Sequence, residues 1–149
     1  MPAKDVVVLP LLGPQHAQPL LQLFAEQWWT SQRSSTQVAG LVRSSTLVFS
    51  AVHTPSDELV GFARVLTDGV TLALVLDVMV SKRWRGRGVG GRLMDAVVVH
   101  PLVADVESVE LVCQPELVPF YAQWGFTDQV GASRLLRRTT RAELLGAPT

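Results

Sequence analysis

Apolar positions along this chain follow two periods, and the switches between them divide it into elements. Val6 to Leu11 is a short apolar run and reads as a strand. Ala17, Leu20, Leu21, Phe24 and Trp28 then recur at helical spacing, which predicts an amphipathic helix with those residues on its core face. A second, shorter helix is expected over 33–45, "RSSTQVAGLVRSS". "TLVFSAV" (46–52) and "LVGFARVL" (59–66) read as strands joined by the polar turn "HTPSDE", with Pro55 and Asp57 inside it. "TDG" (67–69) is a second turn signal. "VTLALVLDVMV" (70–80) is apolar almost throughout and predicts a strand covered on both faces, interrupted only by Asp77. Val89, Leu93, Ala96, Val97 and His100 share one face of a helix that Pro101 ends. "VELVC" (109–113) is a strand. "PELVPFYAQW" (115–124) is a helix, with Pro115 in its first turn and Gly125 placed to cap it. "SRLLRR" (133–138) is expected to be a last strand.

This order predicts an α+β fold. Strands joined by tight turns pair antiparallel, whereas the strand–helix–strand unit from 70 to 113 should be parallel. The 149 residues suit a single domain, 1–149. With 48% apolar residues and 17% charged ones, the chain can build a core. Net charge is zero, so no nucleic-acid or membrane partner is expected. The one cysteine, Cys113, cannot form an internal disulfide and is expected to be a small core residue. The first residues lack the apolar core of a signal peptide, and no run reaches the roughly 20 residues of a membrane helix. A cytoplasmic protein is expected. His16, His53 and His100 are scattered, so satisfied or exposed histidines are expected. No cluster has metal-ligand spacing, so no metal is expected either.

Chemistry concentrates in "RGRGVGGRLM" (85–94). A glycine-rich backbone at a helix start leaves N–H groups pointing outward, and the helix dipole adds positive potential, so an anion binds readily. Lys82, Arg83, Arg85, Arg87 and Arg92 crowd the same place. Arg92 is expected to be solvated on the helix. A Walker P-loop is excluded, because no G-x-x-x-x-G-K-[ST] is present. Gly86, Gly88 and Gly91 spell the dinucleotide fingerprint G-x-G-x-x-G. That fingerprint must follow its strand directly, and here Ser81 to Arg85 intervene. Glu110 also sits near the start of the next strand rather than at its end. Arg85, Gly88 and Gly90 instead spell R-x-x-G-x-G after a strand and a basic loop.

That pattern resembles motif A of the GNAT superfamily of N-acetyltransferases. A second stretch, "CQPELVPFYAQWGF" (113–126), is similar to the family's strand and helix ending F-Y-x-x-x-G-F, with Phe120, Tyr121, Gly125 and Phe126 in place. Gln114 stands seven residues before the tyrosine, where many relatives carry Asn. The resemblance covers nearly the whole chain. It implies a GNAT fold: a mixed, mostly antiparallel sheet of six to seven strands, flanked by about four helices. The central strands would be splayed by a bulge in the strand ending at Val80. It also implies acetyl-CoA as cosubstrate. The pantetheine arm would pair with the backbone of Val78, Met79 and Val80. The backbone of Arg85, Gly86, Arg87, Gly88, Val89, Gly90 and Gly91 would cradle the pyrophosphate, with Gln114 also beside the cofactor. Tyr121, the only tyrosine, would protonate the departing thiolate as general acid.

Asp77 is open to two readings, a base for the amine or a hydrogen-bonded structural carboxylate. Trp29 and Arg33 are the expected acceptor-pocket residues. Arg64 and Asp68 look like a recurrent segment of one small GNAT branch, with no chemistry assigned. The resemblance thus implies acetyl transfer to a primary amine, expected to be a small and partly apolar molecule, by direct attack in a ternary complex. Two other readings remain: a non-catalytic acyl-CoA-binding module, and acetylation of a protein amine. A homodimer is a possible assembly, since family members often form one.

Overall fold

The computed structural model of the chain describes residues 3–146. Five strands, β1 (Val6–Leu9), β2 (Leu47–His53), β3 (Glu58–Thr67), β4 (Leu72–Val80) and β5 (Ser108–Glu110), form one sheet in chain order. The first three pairings are antiparallel and β4–β5 is parallel. The β3–β4 turn is built by Asp68. Its Oδ2 accepts from the Thr71 hydroxyl, and its Oδ1 accepts from the N–H groups of Val70 and Thr71. Those bonds, the Thr71 hydroxyl first, hold its carboxyl well below the usual carboxylate range.

The helices are α1 (Ala17–Ala25), α2 (Ser35–Ser44), α3 (Val89–Val99), α4 (Pro101–Ala104) and α5 (Val118–Ala122). Ser34 starts α2 through a capping box with Gln37. The sheet carries two apolar layers. Leu20, Leu23 and Phe24 of α1 and Val38 of α2 pack with Phe62 and Met79. Val89, Leu93, Met94 and Val97 of α3 pack with Ala63, Val65 and Tyr121. The neighbours Phe62 and Ala63 fall in different layers, as a pleated strand requires.

Gly61 lets α3 approach the sheet. A Cβ there would lie 3.1 Å from the Met79 carbonyl oxygen, Leu93 Cδ1 and Val89 Cγ1. Gly61→Ala should therefore destabilise the protein by about 1–3 kcal/mol through overpacking. Chemical denaturation would measure it, and an unchanged midpoint would show that α3 yields freely.

The structure departs from the sequence expectations in several places. The sheet has five strands rather than six to seven. Residues 133–138 form no strand: Leu135 and Leu136 stand 65% and 92% exposed, and no ladder reaches them. A strand needs a partner edge, and among the described residues none pairs with this segment; further on, Arg141 Nη1 donates to the Trp29 carbonyl. Of the strand expected over 109–113, only Val109 and Glu110 pair with β4. Helix α1 stops at Ala25, where the Thr30 hydroxyl donates to the Phe24 carbonyl at 2.6 Å. The helical spacing that placed Trp28 in the core has no helix to act through. Trp28 is 55% exposed, and Trp29 packs on the α1 layer instead. Pro101 does follow the end of α3, but it also opens α4, with His100 Nδ1 accepting from Leu102 N–H at 3.1 Å.

Candidate functional site

The site starts from a fault in β4. Phe62 pairs with Met79, whereas Arg64 pairs with Leu76. β4 therefore has one more residue than β3 between those pairs, which is a β-bulge at Asp77 and Val78. Asp77 takes the left-handed backbone, φ 51°. The extra residue resets the side-chain alternation, so Val75 and Val78, three apart, both pack on the α3 layer. Beyond Leu74, β4 has no partner on its β5 side among the described residues. The two strands thus open into a wedge bordered by Val78, Met79 and Val80.

After β4 the chain makes a 3-10 turn, Lys82–Trp84, and enters the glycine stretch. Gly86 and Gly88 adopt φ of 76° and 82°, a region that disfavours side chains. A Cβ at either would meet nothing within 4 Å, so the space above the loop is open. No side chain caps α3. Arg92 N–H is the first to find a carbonyl, that of Gly88 at 3.1 Å. The N–H groups of Val89, Gly90 and Gly91 are left free at a helix start, where the dipole favours an anion. Val89 itself is buried and anchors that start in the core.

The basic side chains are not equivalent. Arg85 Nε donates to the Val80 carbonyl at 3.3 Å, and its Nη2 donates to Gln27 Oε1 at 3.2 Å. The Arg87 guanidinium lies over the Trp84 ring, 4.7 Å from its centroid. Arg92, expected to be solvated, donates to the Val6 carbonyl and ties α3 to β1. The long guanidinium stem lets a helix-surface residue reach a neighbouring strand edge.

Helix α5 stands against this loop. A Cβ on Gly90 would lie 3.3 Å from Phe120 Cζ and 3.8 Å from Val80 Cγ2. Trp124 Nε1 donates to Asp95 Oδ1 at 2.8 Å, which fastens α5 to α3. Tyr121 is 8% exposed and packs edge-on against Phe120 and Phe126. Burial, with the nearby Cys113 adding to it, pushes its phenol up to about 12. Tyr121 therefore carries its proton at any working pH. Cys113 is half-buried, and burial pushes its thiol up as well, so it stays protonated. Gln114 is exposed and begins the 3-10 turn Pro115–Leu117, its carbonyl accepting from Leu117 N–H at 2.9 Å.

On the α1 side of the bulge, Asp77 Oδ2 accepts from Arg64 Nε at 2.6 Å and from Arg33 Nη1 at 3.0 Å. The Arg33 guanidinium rests over the Phe24 ring at 5.3 Å. Sequence reasoning named Asp77 and Arg33 separately and gave Arg64 no chemistry. A signal was present: Arg64 and Asp77 are the lone charges, of opposite sign, in the apolar runs 59–66 and 70–80, which one turn joins. Gln27 was also missed. It is buried, and its Nε2 has no partner among the described residues. His16 is buried and bonded to the Asp57 carbonyl at 2.8 Å, as a satisfied histidine should be. Among the described residues no three His, Cys, Asp or Glu side chains gather as metal ligands would, and no helix is long and apolar enough to cross a membrane.

Comparison with known proteins agrees with this geometry. The family model described as "Acetyltransferase (GNAT) domain" matches residues 14–136. The chain is 28% identical over 109 residues to the uncharacterized N-acetyltransferase ycf52 of Porphyra purpurea, covering 72% of this chain and 62% of that protein. It is 36% identical over 75 residues to a chloroplastic serotonin N-acetyltransferase 2 of Oryza sativa, covering 50% of this chain and 38% of that one. The chain thus spans less than two thirds of the length of these relatives. A crystal structure from Xanthomonas campestris, described as an acetyltransferase of the GNAT family, superposes with a TM-score of 0.76 at 28% identity. That alignment covers 90% of this chain and 92% of that one.

Proposed function

The chain belongs to the GNAT acetyltransferase family, and on that premise we propose that it is an acetyl-CoA-dependent N-acetyltransferase that acts on a primary amine, a small molecule rather than a protein. One observation carries the reading: an uncapped, glycine-built helix start follows the open edge of β4 after one basic 3-10 turn. The free N–H groups of Val89, Gly90 and Gly91 suit a pyrophosphate, and the open space over Gly86 and Gly88 leaves room for one. The Val78–Val80 edge suits an extended amide-bearing arm that adds to the sheet as a strand would. Arg87, exposed and stacked on Trp84, supplies charge beside the loop. Arg85, bonded to Val80 and Gln27, holds the loop to the strand end. Gln114 stands exposed at the start of the α5 segment.

Bound acetyl-CoA would supply the acetyl group as an activated thioester. The chain's own part is to orient the amine and to manage protons. Tyr121 Oη holds the proton that the departing sulfur takes. Asp77 has its Oδ2 committed to two guanidinium groups, which suits a positioning role better than proton abstraction. The ammonium form of the acceptor would then lose its proton to water, and the neutral amine would attack the thioester carbonyl. The compartment proposed is the cytoplasm, where the free thiol of Cys113 would stay reduced.

Calorimetric titration of acetyl-CoA, CoA and NADH tests the reading. Acetyl-CoA should bind saturably, and Gly88→Glu should abolish that binding. The left-handed backbone at Gly88 makes the substitution cost about 1–2 kcal/mol. The new side chain would otherwise enter open space, so the variant should fold while its carboxylate repels a pyrophosphate. Saturable NADH binding with none of either CoA form would overturn the proposal. Acetyl-CoA binding without turnover across an amine panel would favour the acyl-CoA-binding module.

A further inference from the structure

We infer that the acceptor amine carries an oxyanion, and that Arg33 and Arg64 bind it beside the β4 bulge. The inference rests on the N-acetyltransferase reading and narrows its substrate. Both arginines meet one oxygen of one carboxylate, Asp77 Oδ2. Two guanidinium charges against one carboxylate leave one positive charge in excess. The place is partly dehydrated: the side chains of Arg64 and Arg33 are 12% and 30% exposed, and that of Asp77 is 5%. Unmatched charge in such surroundings is costly, and an anion would relieve it.

The donors for that anion are already oriented. A guanidinium has five N–H donors in a planar fork. Arg64 uses Nε on Asp77, and its two terminal nitrogens have no protein partner among the described residues. Arg33 uses Nη1 on the same oxygen, and its guanidinium rests over the Phe24 ring. These spare nitrogens are not sealed in the core, since the buried donors and acceptors lacking a partner belong to Gln27 and Ser50. The other carboxylates near the α1–α2 connection are engaged. Glu143 pairs with Arg141 at 2.8 Å, and Glu26 bonds to the Lys82 backbone N–H at 3.2 Å rather than to Arg33 or Arg64. Two prepared forks with a surplus charge suit a carboxylate or a phosphate. The bulge that holds them lies on the β4 segment with no partner toward β5, so the anion would sit on the α1 face of β4, beside the residues that border the wedge.

Matched amines distinguish the sources of the anion. Each α-amino acid would be compared with the amine lacking its carboxylate, and phosphoethanolamine with ethanolamine, by kcat/KM and by calorimetric titration in the presence of CoA. In the pairs that turn over, the anionic member should be preferred by about tenfold or more, as a charge-assisted contact implies. Arg33→Gln should erase that preference while leaving acetyl-CoA binding intact. Arg33→Lys, which keeps the charge and loses the fork, should retain part of it. Equal or better use of the neutral amines overturns the inference, as does a preference that survives Arg33→Gln, or the absence of binding by any anionic amine. Failure to bind acetyl-CoA would instead overturn the N-acetyltransferase reading beneath it.

Discussion

Tyr121→Phe is expected to lower kcat by about 10²–10⁴-fold, the usual contribution of a positioned general acid. The argument is local. Tyr121 is the chain's only tyrosine, and it is buried between Phe120 and Phe126 on a helix fastened to α3. Burial raises its phenol from 10 to about 12, so it holds a proton wherever the enzyme works and has one to give when a thiolate forms. Phenylalanine fills the same ring space, so folding and acetyl-CoA binding should be retained and KM for the cosubstrate should barely move. The pH dependence follows with a definite sign. The raised folded-state value means that Tyr121 stabilises the fold fully below pH 10, and that this contribution is lost as pH rises through about 12. The wild type should therefore lose stability over that alkaline window more steeply than Tyr121→Phe. Steady-state kinetics and alkaline denaturation check both claims. A variant that turns over as fast as the wild type would mean that another group protonates the sulfur.

Asp77→Ala is expected to cost about 3 kcal/mol of stability, the lower end of the range for removing one partner from a buried ion pair. The lower end applies because Arg33 is 30% exposed and water partly screens it. Without the carboxylate, Arg64 and Arg33 face each other uncompensated across the bulge. The bulge also loses the residue that spans its left-handed backbone, a conformation in which Asp is better tolerated than Ala. Chemical denaturation should show a large shift in midpoint. Asp77→Asn separates positioning from proton abstraction. If Asp77 positions the arginines, the acid limb of kcat/KM stays where the amine sets it, and KM for the acceptor rises. If Asp77 is the base, that limb disappears and kcat falls.

Most of the architecture was legible in the chain because most elements are locally determined. The β3 and β4 runs and α3 all lie within two residues of where their periodicity put them, and the 70–113 unit is parallel as its connection requires. The glycine stretch was legible for the same reason. Where local pattern misled, a distant contact was the cause. Trp28 has the spacing of a core residue, but the Thr30 hydroxyl and the Phe24 carbonyl end the helix before it. "SRLLRR" has the composition of a strand, yet no sheet edge pairs with it. Arg92 looked like a solvated helix residue, but its guanidinium reaches the β1 backbone.

The sequence by itself determined the glycine-built helix start at 85–91, whose free N–H groups suit an anion, and placed one tyrosine on a helix after a strand. Backbone freedom, helix dipole and side-chain type act within a few residues. The tertiary structure alone decided that one carboxylate would gather Arg33 and Arg64, and that Phe120 would close on Gly90. Those meetings span tens of residues and depend on the bulge, the strand register and the end of α1. Such features come from packing in three dimensions, and no short-range pattern encodes them.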